Sequence, residues 1–512
     1  MSTRREFFSF LTRDANARPV AQGERMAVAG GLEPYIGSLT LEDAYHLLRR
    51  VTFAPTVALA QQLVGKTADE AVEILLGDGS DEAPASPGEW VDSVTENPMN
   101  ADLQTRFAIE DTWESNFGNL QRWWVSLMYG EALPAREKLT LFWSGHFTSE
   151  FTYDDYYMPP QLLYRQNQLL RSLRLGSFKE LAEEITLNGA MLAYLGGELN
   201  KVGKPNENYG RELLELYTTG LGWYSEGDIQ EAARVLTGWR IAKFNDEPAL
   251  NGIYNAYFEA ASHDTDAKQF MGESIAARAP DNNTEFLVRR DEVRELLYII
   301  FRQRADAVAT FLCRKLYHYF VYSKPSAGDE QFIGQLVAVF KQNDFAIRPV
   351  VEALLKSAHF FDEANRGVQI KTPAENLVGF PRQVGSPSTD INGVMVSVEQ
   401  NLMDPPNVAG WEGYRTWIST KTYPLRTQFA RTYLQNVPDA TLVALAKQFA
   451  DSMDAYKLTT ALELYFLPRP VSTARHENYV KVLLQNAPDY EWPDIITNDV
   501  RSEERRVGKE SR

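Results

Sequence analysis

The stretch Asn206-Glu207-Asn208-Tyr209-Gly210-Arg211-Glu212-Leu213-Leu214-Glu215-Leu216 reads as a helix with two faces. At 3.6 residues per turn, Tyr209, Leu213 and Leu216 fall at i, i+4 and i+7 and can bury together. Asn208, Arg211, Glu212 and Glu215 fall at i, i+3, i+4 and i+7 and form a polar stripe. That stripe is either a solvated face or the wall of a polar pocket. As a solvated face it is ordinary, because Arg211 and Glu215 have the spacing of a surface ion pair, which stabilises little. As a pocket wall it brings two carboxylates together. Glu212 and Glu215 could then divide acid and base roles or ligate a hard divalent cation, with Arg211 orienting one of them or gripping an anionic substrate.

Helical patterning extends outward from this stretch in both directions. Thr40-Leu41-Glu42-Asp43 places an N-cap Thr three residues before an acid, and Leu41, Ala44, Tyr45 and Leu48 follow as a buried stripe. Helical patterns cover 101–130, 134–147 and 161–195, and the motif helix runs over 207–219 to a stop near Gly220. Ser225 caps the next helix, whose stripe is Ile229, Ala232, Ala233 and Leu236, with Gly238 as its stop. Further helices fall at 289–322, 327–361, 373–383, 439–466 and 471–486. Residues 77–100 form a loop excursion, and 240–285 lose helical period and read as a small β-hairpin insertion or an ordered loop. Asp404-Pro405-Pro406-Asn407-Val408-Ala409-Gly410-Trp411 must be a shaped loop, since two prolines and a glycine suit neither helix nor central strand. The expected fold is mainly α: one large multi-helix domain over 38–500 with a small irregular or β-hairpin insertion at about 240–285.

Composition narrows the function classes. Hydrophobic content of 44% and charged content of 24% over 512 residues are those of a soluble globular protein. The 52 basic and 69 acidic residues give a net charge of −17, which argues against nucleic acid or an anionic membrane as partner. No apolar run approaches the roughly 20 residues of a membrane span. The single cysteine, Cys313, permits no internal disulfide or Cys-based metal site, and its apolar helical neighbours mark a buried, inert thiol. The first 37 residues read as an N-terminal tail. Its Ser2-Thr3-Arg4-Arg5-Glu6-Phe7-Phe8 resembles a twin-arginine export signal, but Arg13, Asp14, Asn16 and Arg18 interrupt the apolar region that should follow. It reads as a relic or a chance match rather than a working cleavable signal, and on this sequence alone the expected location is cytoplasmic. Residues 501–512 resemble a translated sequencing adaptor and carry no functional argument.

Several segments together carry a family resemblance. They are His46-Leu47-Leu48-Arg49-Arg50, Arg136 through Trp143, His146-Phe147, Asn206 through Glu215, Leu236-Thr237-Gly238-Trp239, His263-Asp264, and Pro405-Pro406 through Gly410-Trp411. Their ordered combination over about residues 40–432 resembles the bacterial domain-of-unknown-function family numbered 1800. The resemblance implies a helical protein, often exported, and commonly encoded beside a second uncharacterised family, numbered 1501, whose product is the implied partner. It implies no reaction. Two departures stand out: Ser144-Gly145 replaces a histidine that many members carry before His146, and the export signal is interrupted.

Candidate site residues follow from chemistry. His146 is either a satisfied core histidine, lying with Phe142 and Trp143, or a metal ligand or general base. His46, Arg49 and Arg50, at i, i+3 and i+4, form a basic patch: solvated, ion-paired, substrate-binding, or the counter-charge for Glu212 or Glu215. His263-Asp264 lies in the irregular segment and is plausible metal chemistry or a simple turn. Thr372-Pro373-Ala374-Glu375 is a capping box, which leaves Lys371 without a structural role. Asn206 and Asn208 flank the stripe, and Trp411 and Trp417 either plug the core or rim a cleft that stacks on a sugar or peptide. No nucleophile elbow, phosphate-binding loop, zinc-protease helix or dinucleotide fingerprint is present.

The expectation is metal-assisted hydrolysis, with His146, Arg211, Glu212 and Glu215 catalytic. His46, Arg49, Arg50, Asn206, Asn208, Lys371, Trp411 and Trp417 bind substrate, and Glu212, Glu215, His263 and Asp264 hold a divalent metal ion. The alternative is a non-catalytic scaffold in which the polar motifs are structural ion pairs.

Overall fold

Thr40 starts the first described helix, Leu41–Val51, through the full capping box: its hydroxyl accepts from the Asp43 N–H, and the Asp43 carboxylate accepts from the Thr40 N–H. Ala44, Tyr45 and Leu48 bury as their spacing predicts, whereas Leu41 stays exposed and Leu47 takes its place in the core. The computed structural model describes residues 28–78, 82–130, 134–153, 156–278 and 285–497. Among the described residues the chain is mainly α-helical, with two small antiparallel pairs of strands. A continuous hydrophobic cluster runs from Leu39 to Ile496.

The motif helix departs from regular geometry. Glu207–Glu212 is α-helical, and Leu213–Thr218 is a π-turn in which the Thr219 N–H reaches back to Leu214 O at 2.9 Å. The wider turn rotates every later side chain away from the 3.6-residue register. Tyr209 and Leu213 are buried as expected, but Leu214 and Tyr217 join them and Leu216 is only half-buried. Such turns cost helix stability and concentrate at functional sites.

The next helix, Glu226–Val235, keeps to the sequence reading: Ser225 closes a capping box, Ile229, Ala232, Ala233 and Leu236 are buried, and Gly238 (φ +86°) follows it. The insertion carries the strands. β1 (Trp239–Ile241) pairs with β2 (Ala256–Phe258), and β3 (Lys268–Phe270) pairs with β4 (Glu273–Ile275), both antiparallel.

Two long helical patterns break into shorter helices. The 161–195 stretch becomes Pro160–Ser172, Phe178–Thr186 and Gly189–Tyr194, and Arg304 (φ −128°) separates Glu285–Gln303 from Ala305–Phe320. A helix at Thr422–Asn436 has no clear apolar stripe in sequence. Residues 28–37, expected as tail, are tied to the fold: Tyr35 N–H donates to Lys356 O at 2.8 Å and Ala29 N–H to the Asp362 carboxylate at 2.9 Å. The twin-arginine-like start and the adaptor-like end lie outside the described residues. Among the described residues no helix is long and apolar enough to cross a membrane.

Candidate functional site

Segments far apart in sequence meet at the C-terminal end of the Arg136–His146 helix. Gly410 has φ +83°, and a Cβ there would stand 2.7 Å from Gly145 O, so only glycine lets the Asp404–Trp411 loop approach this closely. Thr148 Oγ donates to Val408 O at 2.6 Å and clamps the same loop. The π-turn closes the other side, with Tyr217 packed on Phe147 at a ring separation of 5.4 Å. Met403 (φ +59°) holds a left-handed conformation just before Asp404, a strain that only a well-packed surrounding maintains.

Three half-buried carboxylates, Glu150, Glu212 and Asp404, lie close enough to Tyr194 for their charges to act on its phenol. Burial, and then these three acids, hold the Tyr194 phenol well above its ordinary range. Burial also raises the Tyr156 phenol, helped by Glu150, whose Oε1 lies 3.4 Å from the Tyr156 hydroxyl. The Glu212 carboxyl is raised by burial and then by the charge of Glu215, against a smaller pull from Arg211. Asp404 is raised by burial despite accepting hydrogen bonds from Asn401 Nδ2 at 2.7 Å and from the Phe151 N–H. Among the described residues Glu212 accepts no hydrogen bond, so its protonated form loses little. Two acids biased towards the neutral state, beside a third carboxylate and two tyrosines, can hold and release protons above the ordinary carboxylate range.

His146 is buried beneath this junction. Its Nε2 donates to Tyr217 O at 3.1 Å, which leaves Nδ1 as an acceptor for Lys315 Nζ at 3.0 Å. Burial and the Lys315 charge push the imidazole well below its usual range, so it is neutral at pH 7. Burial brings Lys315 itself down to about 8. The ring serves as a polar tie between three elements, with no metal position left open on either nitrogen.

Other expected site residues lie elsewhere or are committed to structure. Arg211 pairs with Glu226 at the surface, at 2.8 Å, and not with Glu215. Glu215 accepts from the Tyr224 hydroxyl at 2.6 Å. Tyr224 also lines a surface cleft of about 780 Å³, whose charged groups are already engaged: Arg302 with Glu273, and Asp228 with the Ser225 cap. Asp264 is gripped by Arg234 at 2.8 Å, and His263 Nε2 lies 3.2 Å from Glu292 while its Nδ1 donates to Thr237 O. His263 and Asp264 therefore pin β3 and the insertion to neighbouring helices rather than joining Glu212 and Glu215. Among the described residues no group of three or more His, Cys, Asp or Glu is arranged to hold a metal ion.

The basic patch of the first helix is buried, not solvated. His46 Nε2 donates to Phe360 O at 2.9 Å, and burial, with the neighbouring arginines, brings the ring down to about 3. Arg50 donates to Phe320 O and Tyr319 O, and Arg49 to Leu467 O at 2.9 Å. The carboxylate nearest Arg50 in charge is Glu375, not Glu212 or Glu215. Asn206 ties Leu195 O and Gly196 O to the helix start, and Asn208 is exposed. Trp417 is buried as a plug, Trp411 is half-buried against Gly145, and Lys371 lies with the Glu375 group. Cys313 is fully buried, and burial raises its thiol, as its neighbours predict.

Sequence reading overlooked Glu150, Tyr156, Tyr194, Asp404 and Lys315. Asp404 stood at the head of the quoted proline loop and Glu150 four residues beyond His146, so proximity to a motif was the one available signal. Tyr156, Tyr194 and Lys315 carry none. Neither a curated protein nor a solved structure matches the chain. A family model described as "Protein of unknown function (DUF1800)" matches residues 46–494, through every segment that builds this junction. The chain belongs to that family.

Proposed function

We propose that the protein is a hydrolase whose acid–base work is done by carboxylates, at the junction of the π-turn, the His146–Phe151 segment and the Asp404–Trp411 loop. The observation that carries this reading is the convergence of Glu150, Glu212 and Asp404 on Tyr194, with Glu212 and Asp404 both raised. Glu212 is the general acid: it protonates the leaving-group oxygen as the scissile bond breaks. Glu150 is the base that takes a proton from the attacking water. Tyr156, Tyr194 and Trp411 supply stacking surface and hydroxyl groups, and the negative cleft favours an uncharged, hydroxyl-rich substrate such as a glycan over an anion.

The test is turnover of a panel of p-nitrophenyl glycosides and esters by the wild-type protein and by Glu212→Gln and Glu150→Gln. Loss of about 100-fold or more in either folded variant supports the assignment. A glycoside or ester hydrolysed equally well by both variants removes it.

A second reading is favoured by the pairing of Arg211, His263 and Asp264 and by an apolar stripe of Met99, Leu103 and Phe107, which are 68%, 66% and 55% exposed. On this reading the protein is a scaffold, and the stripe docks a partner, the co-encoded family numbered 1501 being the one the resemblance implies. Size-exclusion chromatography of the two proteins together, with Phe107→Asp as control, tests it. Co-elution that the substitution abolishes supports it, and separate elution counts against it.

A further inference from the structure

The second concentration of charge is positive and lies apart from the Glu212 cleft. Glu375, at the start of the Pro373–Val384 helix, is 3% exposed and pairs with Lys138, which is fully buried. Arg50, Lys371 and Arg426 also act on this one carboxylate, and Arg49 acts on Lys371. Among the described residues four cationic side chains therefore act on this one acid, and Arg49 adds a fifth charge beside Lys371.

Most of them have neutral acceptors only. Arg426 Nη2 donates to Lys371 O at 2.9 Å, and Arg49 and Arg50 donate to the carbonyls named above. Carbonyl oxygens satisfy N–H groups but do not neutralise charge. Among the described residues Lys371 Nζ has no hydrogen-bond or ion-pair partner, and its side chain keeps partial access to solvent. Burial, set against Glu375 and reinforced by Arg49, Lys138 and Arg426, brings Lys371 down to about 8. Uncompensated charge in such surroundings is costly unless a counter-ion enters.

We propose that Lys371, Lys138, Arg49, Arg50 and Arg426 around Glu375 form an anion site that takes a phosphate group, either as the free ion or as part of a larger phosphate monoester. A dianion offsets the excess charge better than chloride, and its several oxygens match an ammonium and guanidinium groups. The site rests on residues separate from those of the proposed hydrolytic cleft, so either can fail without the other.

The experiment is thermal unfolding of the full chain titrated with sodium phosphate, with phenyl phosphate, and with sodium chloride at matched ionic strength. The wild type should show a saturable rise in Tm with phosphate beyond that with chloride. A stronger response to phenyl phosphate identifies the larger ligand, and a stronger response to inorganic phosphate identifies the free ion. Lys371→Met should start from an equal or higher Tm without phosphate, having lost one uncompensated charge, and should need at least about ten times more phosphate for the same rise. Lys371→Arg should retain the response, and Lys457→Met, at an exposed position, should match the wild type. A wild-type response no larger than that to chloride overturns the proposal. So does a Lys371→Met variant that responds like the wild type, and so does one whose Tm falls in phosphate-free buffer with its response intact.

Discussion

Lys315 Nζ lies 3.0 Å from Nδ1 of His146, and the opposite nitrogen of the same ring lies 3.1 Å from Tyr217 O. An ammonium, an imidazole and a π-turn carbonyl thus form one chain from the Ala305–Phe320 helix to the motif helix. The Phe311 ring stands 4.7 Å from the same Nζ. This chain fixes the imidazole tautomer and sets the floor on which Tyr217 and Phe147 pack.

The Lys315 environment makes stability depend on alkaline pH. Its folded value is about 8 against an ordinary 10.5, so between these values the unfolded chain binds more protons and stability rises with pH. Below pH 8 the cost of the buried charge is fully present. Lys315→Met should therefore gain less stability than the wild type between pH 8 and 10.5, the difference being on the order of 2–3 kcal/mol. Urea unfolding at several pH values measures it, and parallel curves for the two proteins would refute it.

Glu375 shows what it costs to break a buried pair. Burial alone would raise its carboxyl, but Lys138 and Arg50 prevail and bring it down to about 2. Glu375→Gln should cost about 3–5 kcal/mol in urea unfolding, since Lys138 is left charged and enclosed. Adding Lys138→Met should recover much of that loss. A double variant as unstable as the sum of its singles would show that the two side chains do not act on one another.

Arg211 has a surface role. It pairs directly with exposed Glu226 at the solvated surface, so Arg211→Ala should leave the unfolding midpoint and any hydrolytic turnover unchanged. A large loss of turnover would return Arg211 to the catalytic group.

Gly410 permits the loop to meet the helix end. Gly410→Ala combines an unfavourable φ of +83° with a backbone contact of 2.7 Å, and should cost about 1–3 kcal/mol. It should also displace Asp404 and Trp411 from the cleft and lower turnover. Calorimetry and activity on the same preparation distinguish a loss of stability from a loss of geometry.

How much of this was legible follows from how far each cause lies along the chain. The capping boxes at Thr40, Ser225 and Thr372 are visible in sequence because donor and acceptor are three residues apart. The stripe Ile229, Ala232, Ala233 and Leu236 is visible because a regular helix repeats its own face. The π-turn is not, since its extra residue rotates Tyr217 inward onto Phe147 and His146, partners some 70 residues away. Arg49 and Arg50 looked like a solvated patch because the carbonyls that receive them come from residues 464–467 and 319–320. Tyr194 has no signal at all, because its meaning lies in three acids drawn from three separate segments.

The most direct test of the central claim is a carbon-13 NMR titration of glutamate carboxyls in the labelled protein, with the Glu212 signal assigned by its loss in Glu212→Gln. Glu212 should titrate above the ordinary 4.5, and Glu215→Gln should bring it down by removing the neighbouring charge. A Glu212 signal that titrates at or below 4.5 would contradict the account, because a freely ionised carboxylate cannot serve as the general acid of this cleft.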